Sequence, residues 1–285
     1  MQALWMLLAS FMFALMGSAV KLASEHGAQL AQIVLFRGVP SVVLLLVFAR
    51  VARQSIVPIS WRLHALRNVF GVASMWLGFF SLAHLPLSTS TSLSYTAPLF
   101  IAGWMVARSP QHRDIYRIGA VLLGFLGVLT VLRPSISGDQ YLAAAMGLGA
   151  GAAAAFAMMQ LRKLGEVGEP EWRTVLYFSV CVVLTSLVGL TIEGWPPMSI
   201  TAYLALIGVG LTGLCGQLAV TRAFGKGPPL LTAALQYSTI IFAALLGVGF
   251  WGDYLDWLAC VGMLLIILAG LLSAWRTMRE SKQKK

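Results

Sequence analysis

The chain has 285 residues, of which 59% are hydrophobic and only 11% are charged, and its mean hydropathy is +0.83. A soluble domain of this length must present a polar exterior to water, so the composition argues against one and predicts a membrane protein. The net charge of +10 does not indicate nucleic-acid binding, because the basic residues alternate along the chain in short loops and form no continuous stripe.

Ten apolar stretches follow one another along the chain, each close to the roughly 20 helical residues that cross a bilayer. Residues 68–107 contain no Asp, Glu, Lys or Arg and are too many for one helix. A turn at His84-Leu85-Pro86 is therefore expected to divide them, because proline lacks an N–H and ends helices. The predicted spans are 3–22, 28–49, 65–84, 87–107, 115–132, 141–161, 172–192, 200–221, 229–250 and 255–275.

An internal repeat relates the two halves. With a shift of 142 positions, Pro86, Leu93, Tyr95 and Phe100 fall on Pro228, Leu235, Tyr237 and Phe242. With one inserted residue, Gly119 and Gly127 fall on Gly262 and Gly270. Five spans per half is an odd number, so the second copy is expected to be inverted in the membrane. The sequence predicts an all-α polytopic membrane protein with ten transmembrane helices as two inverted five-helix repeats, residues 1–137 and 138–285.

The distribution of Lys and Arg predicts the orientation. If the N-terminus is cytoplasmic, 17 of the 20 basic residues, Arg67 among them, lie in inner loops or in the basic C-terminal tail. Only Lys21 and Arg133 lie outside, and Arg37 alone lies deep within a span. This asymmetry favours an inner-membrane protein with both termini cytoplasmic and with the N-terminal stretch as a span rather than a signal peptide.

Each half ends in a similar pattern. The first half has Tyr95-Thr96-Ala97-Pro98-Leu99-Phe100 before a glycine-spaced helix, and the second has Tyr237 through Phe242, then Trp251-Gly252-Asp253 and another such helix. This pattern resembles the drug/metabolite transporter superfamily, specifically its EamA-type ten-helix branch. Two departures are Ile240 in place of the second-half proline and Arg108-Ser109-Pro110 in place of the first-half acidic turn.

The resemblance implies a cavity surrounded by helices 1, 3, 4, 6, 8 and 9, with helices 2, 5, 7 and 10 outside. Tyr95 and Tyr237 lie about nine residues into their spans, roughly 13 Å deep and near the bilayer midplane. Their hydroxyls are expected to bind substrate or, alternatively, a backbone carbonyl. Trp76, Gln160, Gln217 and Gln236 complete the predicted substrate-binding set, with helix–helix hydrogen bonding as the alternative for the glutamines.

Arg37 resembles an arginine common in the family's second helix. Because the family architecture places that helix outside the cavity, a structural role is preferred, in which Arg37 bonds carbonyls or neighbouring helices. The alternative is that its guanidinium binds a substrate carboxylate.

The predicted function is secondary transport of small organic solutes, with export of amino acids or related metabolites favoured. All ten Asp and Glu residues lie near predicted span ends or in loops, so facilitated diffusion or exchange is expected rather than transport driven through a buried carboxylate. The alternatives are an importer or exchanger of a vitamin or nucleotide-derived metabolite, a channel, and a membrane enzyme.

The three cysteines lie singly, and no metal or cofactor is predicted. The expected partners are a small-molecule substrate and the lipid bilayer; the sequence sets no oligomeric state, and a monomer is compatible with it.

Overall fold

The protein, seen here in a computed structural model, is built from α-helices. The structure describes residues 2–85, 87–108, 115–133, 140–252 and 256–283. Pro86, residues 109–114 and 134–139, and Asp253 lie outside the described residues. In chain order the helices are α1 (Gln2–Glu25), α2 (Leu30–Val51), α3 (Trp61–His84), α4 (Leu87–Ser94), α5 (Ala97–Arg108), α6 (Ile115–Leu132), α7 (Tyr141–Glu166), α8 (Glu171–Glu193), α9 (Ile200–Lys226), α10 (Pro229–Gln236), α11 (Ser238–Trp251) and α12 (Trp257–Gln283).

Each predicted span coincides with one helix or with two consecutive helices. The fourth span is divided into α4 and α5, and the ninth into α10 and α11. Within the described residues, seven stretches are long and apolar enough to cross a membrane, and Ile118–Leu132 is a shorter apolar helix. The protein is therefore a helical, multi-pass membrane protein, while the count of ten crossings stays a prediction.

Local sequence signals explain several helix ends. The Ser60 hydroxyl accepts a hydrogen bond from the Leu63 backbone N–H at 3.4 Å and caps α3. Ser199 caps α9 in the same way, accepting from Ala202 at 3.2 Å. α11 ends at Gly252, whose φ of 67° is in the left-handed region that glycine adopts most easily.

The helices of the two halves pack in a reciprocal pattern. α1 packs on α9, and α7, the counterpart of α1, packs on α3, the counterpart of α9. The counterparts α2 and α8 contact each other, as do α6 and α12. This exchange of partners is what a pseudo-twofold relation between two repeats produces. The exact division at 137/138 stays a prediction, because it lies outside the described residues.

Two glycines allow α6 and α12 to approach closely. A Cβ on Gly127 would lie 2.6 Å from the Gly262 carbonyl oxygen, and a Cβ on Gly262 would lie 2.7 Å from the Gly127 carbonyl oxygen. No larger residue fits at either position without separating the backbones. Small residues at helix crossings are how membrane proteins gain close van der Waals contact in lipid.

Arg67 is a correction to the predicted inner loops. The cap at Ser60 starts α3 at Trp61, four residues before the predicted span, so Arg67 lies in the second turn of the helix. It is only 3% exposed. A second arginine therefore lies within the helical bundle besides Arg37.

Candidate substrate-binding cavity

A cavity of about 450 Å³ lies between the helices. Described residues from α1 to α4 and from α7 to α11 line it. Methionine and aromatic side chains alternate in its wall with hydroxyl, amide and guanidinium groups. The charged and polar members of the wall are Arg37, Arg67, Ser74, Ser90, Thr91, Ser94, Tyr95, Gln217, Gln236 and Thr239.

The wall follows the helix arrangement that the resemblance implies, with two additions. The first, third, fourth, sixth, eighth and ninth predicted spans all contribute residues. α2 and α8 also reach the cavity, through Arg37 and Phe178. The expectation that Arg37 lies outside the cavity is therefore wrong. Its long side chain reaches inward past Gly213 of α9, where an added Cβ would lie 3.6 Å from Arg37 Cγ.

Two helix interruptions border the cavity at repeat-equivalent positions. Tyr95 and Thr96 separate α4 from α5, and Tyr237 separates α10 from α11. Discontinuous helices at the repeat interface are typical of the sites where secondary transporters bind their substrates.

The two interruptions have different local causes. In the first half, Pro98 has no N–H to donate to the Ser94 carbonyl, so the helical ladder stops. In the second half Ile240 occupies the equivalent position, and its N–H donates to the Tyr237 carbonyl at 3.0 Å. This tighter bond, which spans three residues, interrupts the α-helix without a proline.

The structure places the two predicted tyrosines in different surroundings. Tyr95 lines the cavity, and its hydroxyl interacts with the Thr239 side chain. Tyr237 is fully buried in an apolar cluster with Val128 and Ile266, and its ring centroid lies 6.3 Å from that of Tyr95. The Tyr237 hydroxyl has no hydrogen-bond partner among the described residues. The prediction that both tyrosines line one cavity is therefore corrected for Tyr237.

A glycine explains why Tyr237 is withdrawn from the cavity. A Cβ on Gly124 of α6 would lie 2.4 Å from the Tyr237 ring, so the ring occupies the space that this missing side chain leaves. The repeat places Ile267 of α12 at the position equivalent to Gly124. No such space is therefore offered to Tyr95.

The other predicted residues also divide into two groups. Gln217 and Gln236 lie in the cavity wall, and Gln236 Oε1 has no partner among the described residues. Gln160 is 6% exposed and Trp76 is 38% exposed, but neither side chain reaches this wall. Trp76 points away because its neighbours Met75 and Phe79 occupy the face of α3 that turns inward.

Arg67 is held by contacts on two sides. Its guanidinium carbon lies 4.1 Å from the centre of the Phe178 ring, a cation–π contact. A Cβ on Gly71 would lie 2.2 Å from Arg67 Nη1, so the absent side chain of Gly71 makes room for the guanidinium. Arg67 Nε and Nη1 are buried and have no hydrogen-bond partner among the described residues.

The sequence alone does not identify Arg67 as a cavity residue, because its proximity to the basic residues at the start of α3 suggests a loop. A signal was present, since Arg67, Gly71, Ser74 and Gly78 follow one another at helical spacing and all line the cavity. An arginine in register with a stripe of small residues indicates a helix face that is turned inward.

The two ends of the bundle pack differently. At one end, here the closed end, a single apolar cluster containing Met6, Leu161 and Phe224 joins α1, α5, α6, α7, α9 and α10. At the other, the open end, the residues form separate clusters, one around Ala23 and the other around Leu85. We infer from this difference that the cavity opens towards the open end.

The unequal packing of the two ends is also seen in the helix pairs, because two contacts at the closed end have no equivalent at the open end among the described helices. α7 packs on α9 and α5 packs on α10, whereas the counterpart pairs, α1 with α3 and α11 with α4, lack comparable packing within the described residues. The α7–α9 contact is so close that a Cβ on Gly165 would lie 2.2 Å from the Gly225 carbonyl oxygen. The closed end is thus sealed by contacts that the open end could form only after a rearrangement.

Interrupted helices beside a cavity with polar groups, within a helical membrane protein of repeated topology, are typical of transporters. The model of the EamA-like transporter family matches residues 1–133 and 141–275. The chain belongs to this family.

Characterised relatives are named transporters. The chain is 28% identical to the pseudopaline exporter CntI of Pseudomonas aeruginosa over 266 residues, with 92% of each chain covered. It is 25% identical to the riboflavin transporter of Vibrio cholerae, with 99% of this chain and 96% of that protein covered. A crystal structure with 14% sequence identity superposes with a TM-score of 0.83 over 95% of this chain and 96% of that chain, which supports the fold alone.

Proposed function

We propose that the protein exports small organic solutes, amino acids or related metabolites, across the inner membrane by alternating access. The observation that carries this proposal is the unequal packing of the two ends in a molecule whose halves are repeats. The energetic cost of exchanging the packing between the halves is expected to be small, because each half has helices equivalent to those of the other.

In the proposed alternate state, the halves exchange their packing. α7 and α9 separate at Gly165 and Gly225, and the closed end opens. The ends of α1 and α3 approach each other, and the open end closes. The cavity then faces the opposite side of the membrane while its wall keeps the same residues.

The positive-inside rule assigns the closed end, where α1 begins and α9 ends, to the cytoplasm. We therefore expect both termini in the cytoplasm and the mouth of the cavity on the outside. Single cysteines at Asp139 and Glu193, in a chain without the three native cysteines, are expected to react with an impermeant reagent from outside. A cysteine at Asp114 is expected to react only from the cytoplasm, and the reverse pattern would overturn the orientation.

Tyr95, Gln217 and Gln236 are the predicted binding residues that remain in the proposal as direct substrate contacts. They offer hydroxyl and amide groups at the interrupted helices. Trp76, Gln160 and Tyr237 are now expected to act through packing.

The relatives support transport in general, and the name of the riboflavin transporter favours one alternative, the import or exchange of a vitamin. Counterflow in proteoliposomes tests transport directly. A carrier transiently accumulates labelled solute against an unlabelled internal pool, a channel only equilibrates it, and an enzyme releases an altered product. We expect transient accumulation, reduced by Tyr95→Ala and retained by Tyr116→Ala, since Tyr116 packs on Trp275 of the α6–α12 pair. Equilibration without accumulation would contradict the proposal.

A further inference from the structure

Two arginines from different helices face the same cavity. Arg37 reaches it from α2 and Arg67 from α3, and Arg37 lies close enough to act on Arg67 by electrostatic repulsion. Two like charges inside a helical membrane bundle are unfavourable unless an anion lies near them. Helix packing alone does not explain why both arginines face the same cavity.

The described protein residues do not supply that anion. None of the described residues in the wall is acidic. The buried carboxylate of Glu169 is already engaged, because Arg173 donates to it at 2.9 Å and the Ile59 backbone N–H at 2.7 Å. Glu171 is paired with Arg222 at 3.3 Å and with Lys226 at 2.8 Å. The positive charge of Arg37 and Arg67 is thus uncompensated within the described residues of the wall.

The geometry at Arg67 indicates a ligand contact. The side chain is nine-tenths or more buried, fixed over Phe178, and retains donors at Nε and Nη1 without acceptors. Guanidinium groups bind carboxylates through charge-assisted hydrogen bonds, which are among the strongest that proteins make. Gln236 Oε1, also without a partner among the described residues, can accept a hydrogen bond from an amino group on the same ligand.

We infer that the transported solute is a small dicarboxylate, with one carboxylate at Arg37 and the other at Arg67. The inference rests on the proposed function and names the substrate class of that same cavity. An amino group between the carboxylates, as in an acidic amino acid, would be met by Gln236 and Tyr95. A ligand that lacks either carboxylate leaves one buried guanidinium without its acceptor. The cavity is therefore expected to select dicarboxylates over their amides.

Two matched ligand pairs test the inference on the unmodified full-length protein. Glutamate and glutamine differ by one carboxylate, and succinate and succinamide differ by two. We expect glutamate and succinate to raise the thermal unfolding midpoint at millimolar concentration and to bind at least about tenfold more tightly than their amides. Equal binding of the amides, or no binding of either dicarboxylate, would overturn the inference.

Matched arginine variants test the residues. Arg37→Gln and Arg67→Gln are each expected to weaken glutamate and succinate binding about tenfold to a hundredfold. Arg222→Gln serves as the control, because Arg222 lies outside the cavity wall and pairs with Glu171 at 3.3 Å. Unchanged binding in both cavity variants would overturn the assignment. If neither variant folds, the comparison of glutamate with glutamine on the unmodified protein still decides the inference.

Counterflow separates this inference from the proposed function. A dicarboxylate that binds through the arginines but shows no counterflow would leave the ligand class of the cavity standing and contradict transport. Counterflow of glutamine or an organic cation without any for glutamate or succinate would support transport and overturn the dicarboxylate class. Titration of sodium chloride in a buffer without carboxylates checks whether a simple counterion occupies the arginines: a chloride-dependent midpoint with no dicarboxylate effect would also overturn the inference.

Discussion

At the scale of single residues, two side chains at equivalent repeat positions have different roles because their neighbours differ. Tyr95 lies in the cavity wall, while Tyr237 fills the space beside Gly124 and is fully buried. The halves therefore share a backbone plan but present different chemistry to a substrate.

The hydroxyl groups of Tyr95 and Tyr237 are expected to differ in their effects on substrate binding and on stability. Tyr95→Phe removes a polar group from the cavity wall and should weaken substrate binding roughly three- to tenfold. Tyr237→Phe removes a buried hydroxyl without a partner among the described residues, so the free energy of unfolding should stay unchanged or rise by about 1 kcal/mol. Counterflow and thermal unfolding of both variants check this. Transport abolished by Tyr237→Phe alone would show that its hydroxyl, and not that of Tyr95, acts on the substrate.

Gly71 is expected to affect dicarboxylate binding through the position of the Arg67 guanidinium. The added methyl group in Gly71→Ala would overlap the Arg67 guanidinium at 2.2 Å, and a flexible side-chain end moves more easily than a backbone. Dicarboxylate affinity should therefore fall about tenfold while the unfolding midpoint changes little. Gly103→Ala is the control, because nothing lies within 4 Å of its added Cβ. Equal affinities in the two variants would show that the position of the Arg67 guanidinium does not matter.

At the scale of helices, the sequence predicts the elements well because a bilayer imposes a simple requirement of length and apolarity. The interruption at Tyr95 could also be expected, since Pro98 breaks the hydrogen-bond ladder. The interruption at Tyr237 could not, because Ile240 carries no such local signal. The burial of Tyr237 depends on Gly124, more than a hundred residues away in the chain, and no local pattern reports such a contact.

The positions of the Arg37 and Arg67 side chains are also hard to predict, because they depend on contacts between helices. Topology rules assign arginines near a helix start to the cytoplasmic side. Arg67 lies near the start of α3, but its side chain is buried in the cavity wall. The family architecture places the second helix outside the cavity, whereas the long side chain of Arg37 reaches into the cavity from that helix. Gln217 and Gln236 lie in the wall, consistent with the rule that a buried amide in an apolar helix usually faces other protein groups, while their contact with substrate stays a prediction.

The contact between α7 and α9 is expected to set the balance between the two states. Gly165→Ala places a methyl group 2.2 Å from the Gly225 backbone, whereas Gly225→Ala meets its nearest atom at 3.5 Å. Overpacking of about 1–3 kcal/mol should open the closed end in the first variant only, shifting the populations roughly five- to a hundredfold. In a chain without native cysteines, alkylation of Met6→Cys from the cytoplasmic side should then become faster. Equal rates in the two variants would exclude this contact as a gate.

At the scale of the whole molecule, the charges indicate how transport is powered. No acidic residue occurs among the described residues of the cavity wall, and the hydroxyls, amides and guanidinium groups there do not titrate near neutral pH. With glutamate at equal concentration on both sides of a proteoliposome, an imposed pH gradient should therefore produce no net accumulation. Accumulation abolished by a protonophore would contradict facilitated diffusion and exchange, and would direct attention to His64, whose Nε2 lies 3.6 Å from Glu169.

The two ends of one cavity are expected to open in alternation, and paired distance measurements on spin labels follow both ends in the same sample. Labels at Ser24 and His84 report on the open end, and labels at their repeat equivalents, Glu166 and Lys226, report on the closed end. We expect two populations at each end, with Gly165→Ala shortening the first distance and lengthening the second in the same proportion of molecules. Distances that change in the same direction at both ends, or a single unchanging distance at each, would contradict alternating access.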